Sequence, residues 1–204
     1  MNRKLILIRH ATTVAPEHTL VGKNDVELSK RGIEEARKLK QTVVVESANV
    51  KFYSSSLKRA IETAKILFSD ARLSPIKCER DERINEIDFG DWTGLAMNKI
   101  TTSFPDAIEE WTRRPMQFRF PGGESVNEFI ARINDFLDSE ILNKPEISVL
   151  VCHGGVIRFI ICRMLNIDPS HHLAFSIRRP SLNVIDHDGK TGVLAGLNLT
   201  ELKI

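Results

Sequence analysis

Four consecutive apolar residues, Leu5-Ile6-Leu7-Ile8, are bounded by Lys4 and Arg9 and predict a buried strand that stops on Arg9-His10. A second run of this kind, Ile147 to Cys152, stops on His153 and leads into Gly154-Gly155. Helical spacing joins Ile33, Ala36, Leu39 and Val43 behind a Ser29 cap. It also joins Leu57, Ala60, Ile61, Ala64, Leu67 and Phe68, with Ser56 placed to cap. Val126, Phe129, Ile130, Ile133, Phe136, Leu137 and Ile141 form a longer stripe that ends at Asn143 to Pro145, and Ser125 and Glu128 before it have capping-box spacing. The helix after Gly155 is apolar nearly all round, which predicts a central element. Short strands are predicted at Val50 to Tyr53 and Pro75 to Glu79. Leu95 to Arg114 reads as one or two short helices, with Pro105 suited to open the second. A hairpin with arms Leu182 to Ile185 and Val193 to Leu197, turning at Asp188-Gly189, closes the chain. Strands alternating with helices predict a three-layer α/β fold: one domain over 1–204, a mostly parallel sheet, and helices on both faces.

Composition narrows this picture modestly. The 204 residues are 42% hydrophobic and 27% charged, as in an ordinary globular protein with a sizeable core. A formal net charge of +2 is too mild to argue for nucleic acid and is compatible with a local anion pocket. The three cysteines Cys78, Cys152 and Cys162 show no C-x-x-C spacing, so neither a disulfide framework nor a zinc site is expected, and a cytoplasmic location is the simplest reading. Met1 leads almost directly into the first strand, so no signal peptide is expected, and no apolar run approaches the ~20 residues a membrane span needs.

Open α/β sheets bind ligands beyond the carboxyl ends of their strands. That edge should gather Arg9, His10 and His153. Arg59, in the first turn of the helix after Ser56, should join them. A cation at an already electropositive helix N-terminus makes sense beside a bound anion. Two arginines, two imidazoles and the helix N-terminus after Gly154-Gly155 suit a phosphate dianion. From residue types alone, Glu82, Glu86, Asp88 and Asp91 are equivalent as a proton donor. Cys152 should face away from its neighbour His153 and pack in the core. His171-His172 lack spaced partners and read as a surface pair, not a metal site. Arg113-Arg114 and Arg178-Arg179 are either a solvated face or a grip on a second anionic group of the substrate.

These blocks also occur together in one known family. Leu7-Ile8-Arg9-His10-x-x-Thr13, Gly22, Leu28-Ser29-x-x-Gly32 and Ser54-Ser55-x-Leu57-x-Arg59-Ala60-x-x-Thr63-Ala64 come first. Glu86-x-x-Phe89-Gly90-x-Trp92-x-Gly94, Pro121-Gly122-Gly123-Glu124-Ser125 and Val151-x-His153-Gly154-Gly155 follow. In that order they resemble the histidine phosphatase superfamily, which includes the cofactor-dependent phosphoglycerate mutases, and the α-ribazole phosphatase and broad-specificity branch in particular. The resemblance implies a phosphoglycerate mutase-like fold in which 86–124 is a helical and loop insertion covering the active site.

It also implies roles. His10 would be the nucleophile that becomes phosphohistidine, with Arg9, Arg59 and His153 holding phosphoryl oxygens and Thr13 adding a hydroxyl. Glu86 would protonate the leaving oxygen and then activate water, while Gly22, Glu124 and Ser125 would lie near the substrate mouth. The physical logic agrees, since flanking cations keep an imidazole neutral and phosphoryl transfer needs positioning and charge neutralisation. The implied activity is a metal-independent phosphatase without a cofactor, acting on a small phosphomonoester such as α-ribazole 5′-phosphate or a broad range of esters. The protein would be a monomer or homodimer with no nucleic-acid or membrane partner. A phosphoglycerate mutase and a non-catalytic phosphate-binding module of the same fold are the alternatives. Ala11, Thr12, Pro16 and Ser56 depart from the family pattern; Pro16 stands where many members have an asparagine that touches phosphate.

Overall fold

Successive side chains of a strand point to opposite faces, and β1 (Arg3–Arg9) uses this to serve two cores. The computed structural model describes residues 3–44, 49–69, 77–142 and 147–203. Leu5 and Leu7 of β1 pack with Tyr53, Leu150 and Ile185 on one face of the sheet. Ile6 and Ile8 pack with Phe52, Val149, Val151, Leu182 and Val184 on the other. α1 (Lys30–Thr42) and α2 (Lys58–Leu67) cover the second face through Leu39, Ala60, Ala64 and Leu67. α5 (Val126–Phe136) and α6 (Gly154–Met164) cover the first, and α6 is buried nearly all round. The three-layer arrangement expected from the sequence is therefore present.

The main sheet has the order β4-β3-β5-β1-β6-β7, made of β3 (Val50–Ser54), β4 (Cys78–Arg80), β5 (Ile147–Cys152), β6 (Ser181–His187), β7 (Gly192–Leu199) and β1. β4, β3, β5 and β1 run parallel, while β6 and β7 form the expected hairpin and join antiparallel beside β1.

Several local expectations need correction. Ser56 does not cap α2; the helix starts after Leu57, which makes no side-chain cap. The Ser56 hydroxyl instead receives the Asn85 Nδ2–H at 2.8 Å. Val43 leaves the α1 stripe and opens β2 (Val43–Val44), which pairs with β8 (Leu202–Lys203). The third expected strand runs over Cys78–Arg80; Pro75 and Ile76 lie outside the described residues, as do Asn143 to Pro145. The long helix after Ser125 finishes in a π-helical turn, Leu137–Ile141. The Ser29 cap, the Ser125–Glu128 capping box and Pro105 as the first residue of α4 (Pro105–Arg113) are all observed.

Helices as short as α3 (Met97–Ser103) and α4 are marginal alone and need tertiary support. Trp92 supplies it. Its ring is fully buried, with centroids of Phe104, Trp111, Phe118 and Phe120 at 5.9, 5.6, 5.5 and 5.4 Å. Gly90 fixes the neighbouring loop: at φ +53° any Cβ would overlap the backbone of the Pro121-Gly122-Gly123 turn.

Trp92→Ala is expected to cost about 3–5 kcal/mol, read as a lower urea midpoint. A loss under about 1 kcal/mol would show that the aromatic cluster is not integral to the domain.

Candidate active site

β1 and β5 lie in register, with Ile8 beside Val151 and Arg9 beside Cys152. The His10 amide donates to the Cys152 carbonyl at 3.0 Å, so the ladder runs one step past β1. The next residues are the two histidines, whose ring centroids are 5.1 Å apart. Cys152 itself is buried in the core, as its strand position predicts, and burial pushes its thiol pKa up.

The hydrogen bonds fix both tautomers. A carbonyl only accepts, so His10 Nδ1, 2.8 Å from the Ala11 carbonyl oxygen, must carry the proton. Its Nε2 lone pair is then free. A guanidinium only donates, so His153 Nδ1, 3.2 Å from Arg59 Nε, must be the acceptor. The His153 proton therefore sits on Nε2 and is donated to Ser55 Oγ at 2.7 Å. Ser55 Oγ passes its own hydrogen to Asn85 Oδ1 at 2.7 Å. Burial, then Arg59 and Arg9, hold His10 well below the ordinary imidazole value; burial, Arg59 and His10 do the same to His153. Both rings are neutral near pH 7.

Arg59 is 1% exposed, yet it meets neutral acceptors: the Gly22 carbonyl at 2.6 Å, the Asn24 carbonyl at 2.7 Å and His153. Arg9 donates to the Ile177 carbonyl, and among the described residues neither its buried Nε nor the buried Thr13 hydroxyl has a partner. Burial lowers both arginines to about 10, so both stay charged at neutral pH. An unused donor on a buried edge of one of two cations is what an anion would engage.

Glu86 follows the short helical turn Glu82–Ile84. Its Oε2 accepts the Gly155 amide at 3.2 Å and its Oε1 accepts the Ile87 amide at 3.2 Å. A Cβ on residue 155 would overlap Glu86 Oε1, so the glycine permits this approach. Arg132 of α5 holds the loop, donating to the carbonyls of Arg83, Asn85 and Glu86 at 2.7, 2.8 and 3.2 Å. Its guanidinium also grips Glu124 at 2.7 and 3.0 Å.

The structure thus brings Arg9, His10, Arg59, Glu86 and His153 together. Gly22 touches them through its carbonyl. Glu124 is committed to Arg132 and to the Asp88 amide, and Ser125 caps α5. Among the rival carboxylates, Asp88 accepts from Gly90 and Asp91 sits against the Gly122 turn. Arg113 pairs with Glu109 on the outside of α4. His172 stacks on Phe159 at 4.5 Å, and no cluster of three His, Cys, Asp or Glu side chains suited to a metal occurs among the described residues.

Sequence reasoning met Ser55 only within the Ser54-Ser55-x-Leu57-x-Arg59 block and gave it no role, and it missed Asn85 and Arg132 as positioning residues, which no spacing marks. Arg179 had a signal in its doublet with Arg178. Its positive charge acts on Arg9, His10 and Arg59, while the Arg178 amide is tied to Asn198. Beside Glu86 lies a cavity of ≈ 230 Å³ reaching to Arg158 and His172.

Comparison with known proteins shows the family of this chain. The family described as Histidine phosphatase superfamily (branch 1) matches residues 5–200. Phosphoserine phosphatase 1 of Hydrogenobacter thermophilus is 33% identical over 200 residues, covering 97% of this chain and 92% of the relative. A 2,3-bisphosphoglycerate-dependent phosphoglycerate mutase of Parvibaculum lavamentivorans is 30% identical over 206 residues, covering 95% of each chain. The crystal structure of the alpha-ribazole phosphatase from Shigella flexneri has the same fold, with a TM-score of 0.86 at 24% identity over 98% of both chains.

A base held below its unfolded pKa binds fewer protons when folded, so it contributes stability that is lost as pH falls below the unfolded value. Unliganded protein should therefore lose thermal stability as pH falls from about 6.5, the ordinary imidazole value, and His10→Gln should make that decline shallower. Equal slopes of Tm against pH in the two proteins would remove His10 as a contributor.

Proposed function

This chain belongs to the histidine phosphatase superfamily and is a phosphoric monoester hydrolase, and from that premise we propose that it releases phosphate from small phosphomonoesters through phosphohistidine at His10, without a metal. The observation that carries this reading is the state of His10: neutral, with Nδ1 committed to a carbonyl and Nε2 unshared among the described residues, beside buried Arg59 and half-buried Arg9.

Nε2 attacks phosphorus in line, and the bond from phosphorus to the ester oxygen breaks. Arg9 and Arg59 hold the equatorial oxygens, and His153 joins them once its Nδ1 has taken up a proton, so charge on the transferring group meets positioned donors. The Glu86 carboxyl gives its proton to the departing oxygen. The Glu86 carboxylate then takes a proton from water, the resulting hydroxide equivalent attacks phosphohistidine, and His10 leaves as neutral imidazole with inorganic phosphate. Two easier displacements replace one difficult one. Residues 86–124 cover the mouth, since Glu86, Ile87, Phe89, Trp111 and Phe120 all border the adjoining cavity. The name of the Shigella flexneri neighbour, alpha-ribazole phosphatase, makes α-ribazole 5′-phosphate one ester to assay.

The 30% identity to a phosphoglycerate mutase favours one rival. Supplied with 3-phosphoglycerate and a trace of 2,3-bisphosphoglycerate, the protein is expected to liberate inorganic phosphate, and His10→Ala to lower that rate at least about a thousandfold with the fold intact. Formation of 2-phosphoglycerate without phosphate release would make it a mutase, and activity surviving in His10→Ala would remove the nucleophile. Glu86→Gln should slow an alkyl phosphate by about a hundredfold and 4-nitrophenyl phosphate, whose leaving group barely needs a proton, by less than about tenfold. Equal losses on the two esters would move the acid elsewhere.

A further inference from the structure

The cavity beside Glu86 holds information about the leaving group; the inference below rests on the hydrolase reading above. At ≈ 230 Å³ it is smaller than the about 300–1,000 Å³ of a drug-sized site, so it fits roughly one ring with its substituents. It borders Glu86 and Gly155, the end at which a departing oxygen would receive its proton. Phe89, Trp111, Met116, Phe120 and Phe159 supply apolar walls.

The polar groups of this cavity are one-sided. Among the described residues Glu86 is the only acidic one lining it, and both its oxygens already accept backbone amides. Arg158, from α6, donates its Nε to the Phe175 carbonyl at 2.8 Å. Its two terminal nitrogens make no hydrogen bond among the described residues. His172 Nδ1 donates to the Pro169 carbonyl at 2.9 Å, and burial keeps that ring neutral. An ammonium group entering here would lose its hydration, meet the Arg158 guanidinium, and find a single carboxylate, Glu86, whose charge already acts on Arg9 and Arg59. A carboxylate would meet an unused guanidinium fork.

We propose that this cavity seats the leaving group and selects a ring-bearing apolar alcohol that carries a carboxylate, paired with Arg158. An amino-acid ester such as phosphoserine, named in the Hydrogenobacter thermophilus relative, carries a carboxylate too, but its ammonium on the same carbon would face Arg158 and it has no apolar bulk for the ring walls, so it is a poor occupant.

The test compares esters with the same type of leaving oxygen: benzyl phosphate, its 4-carboxy derivative and its 4-aminomethyl derivative, with O-phospho-L-serine and 4-nitrophenyl phosphate alongside. The kcat/KM of the carboxy ester should exceed that of benzyl phosphate at least about tenfold, and the aminomethyl ester and phosphoserine should fall at least about tenfold below it. Arg158→Met should bring the carboxy-to-benzyl ratio close to one, while Arg158→Lys should retain most of it. Phosphoserine cleaved as well as the carboxy ester, or a ratio unchanged in Arg158→Met, overturns the proposal. Cleavage of 4-nitrophenyl phosphate with no preference among the benzyl esters overturns it while leaving the hydrolase reading standing. No phosphate from any ester brings down both.

Discussion

The parallel pairing of β1 with β5 is the constraint on which the site depends. Arg9 lies opposite Cys152, and the amide of His10 closes the ladder on the Cys152 carbonyl. Two residues more than 140 positions apart in sequence thereby become neighbours. A one-residue slip would turn every side chain of the strand to the other face, moving Leu5 and Leu7 out of one core and Ile6 and Ile8 out of the other. The register that fills both cores is therefore the register that pairs the histidines. Packing and chemistry are specified by the same alternation.

Burying cations is costly, and the protein bears that cost in an unusual way. Among the described residues, neither Arg9 nor Arg59 forms an ion pair; carbonyl oxygens and an imidazole nitrogen solvate them. Neutral acceptors satisfy the geometry of a guanidinium but leave its charge uncompensated. Glu86 offsets part of it, since its field raises the pKa of both arginines. The remainder is a fixed positive potential in a poorly solvated space. Burial, with this potential beside it, keeps both imidazoles unprotonated in the empty site, and the potential stabilises any dianion that arrives.

Much of this was legible in the chain. Both histidine-tipped strands, the helix that opens near Arg59 and the capping box at Ser125 follow from apolar periodicity and a few punctuating residues. What was not legible depends on tertiary reach. Ser56 looks like a helix cap, but Asn85 claims its hydroxyl from a loop 29 residues away. Arg132 sits on a helix face where a solvated arginine is ordinary; only the folded loop shows that it secures the carbonyls around Glu86. Arg179 was one of two arginine doublets with equal claims, and the sheet edge distinguishes it from Arg113-Arg114 on the outside of α4.

The relay from Arg59 through His153 and Ser55 to Asn85 runs in one direction, every donor facing an acceptor. Its first link is the one an incoming anion would compete for. An oxyanion that captures the Arg59 Nε hydrogen strips His153 Nδ1 of its donor and leaves an exposed lone pair beside a fresh negative charge. Protonation of that nitrogen then becomes favourable, turning the ring into a second clamp. Ligand uptake and proton uptake are thus thermodynamically linked, and by reciprocity acidification tightens the hold on anions just as it weakens the empty fold.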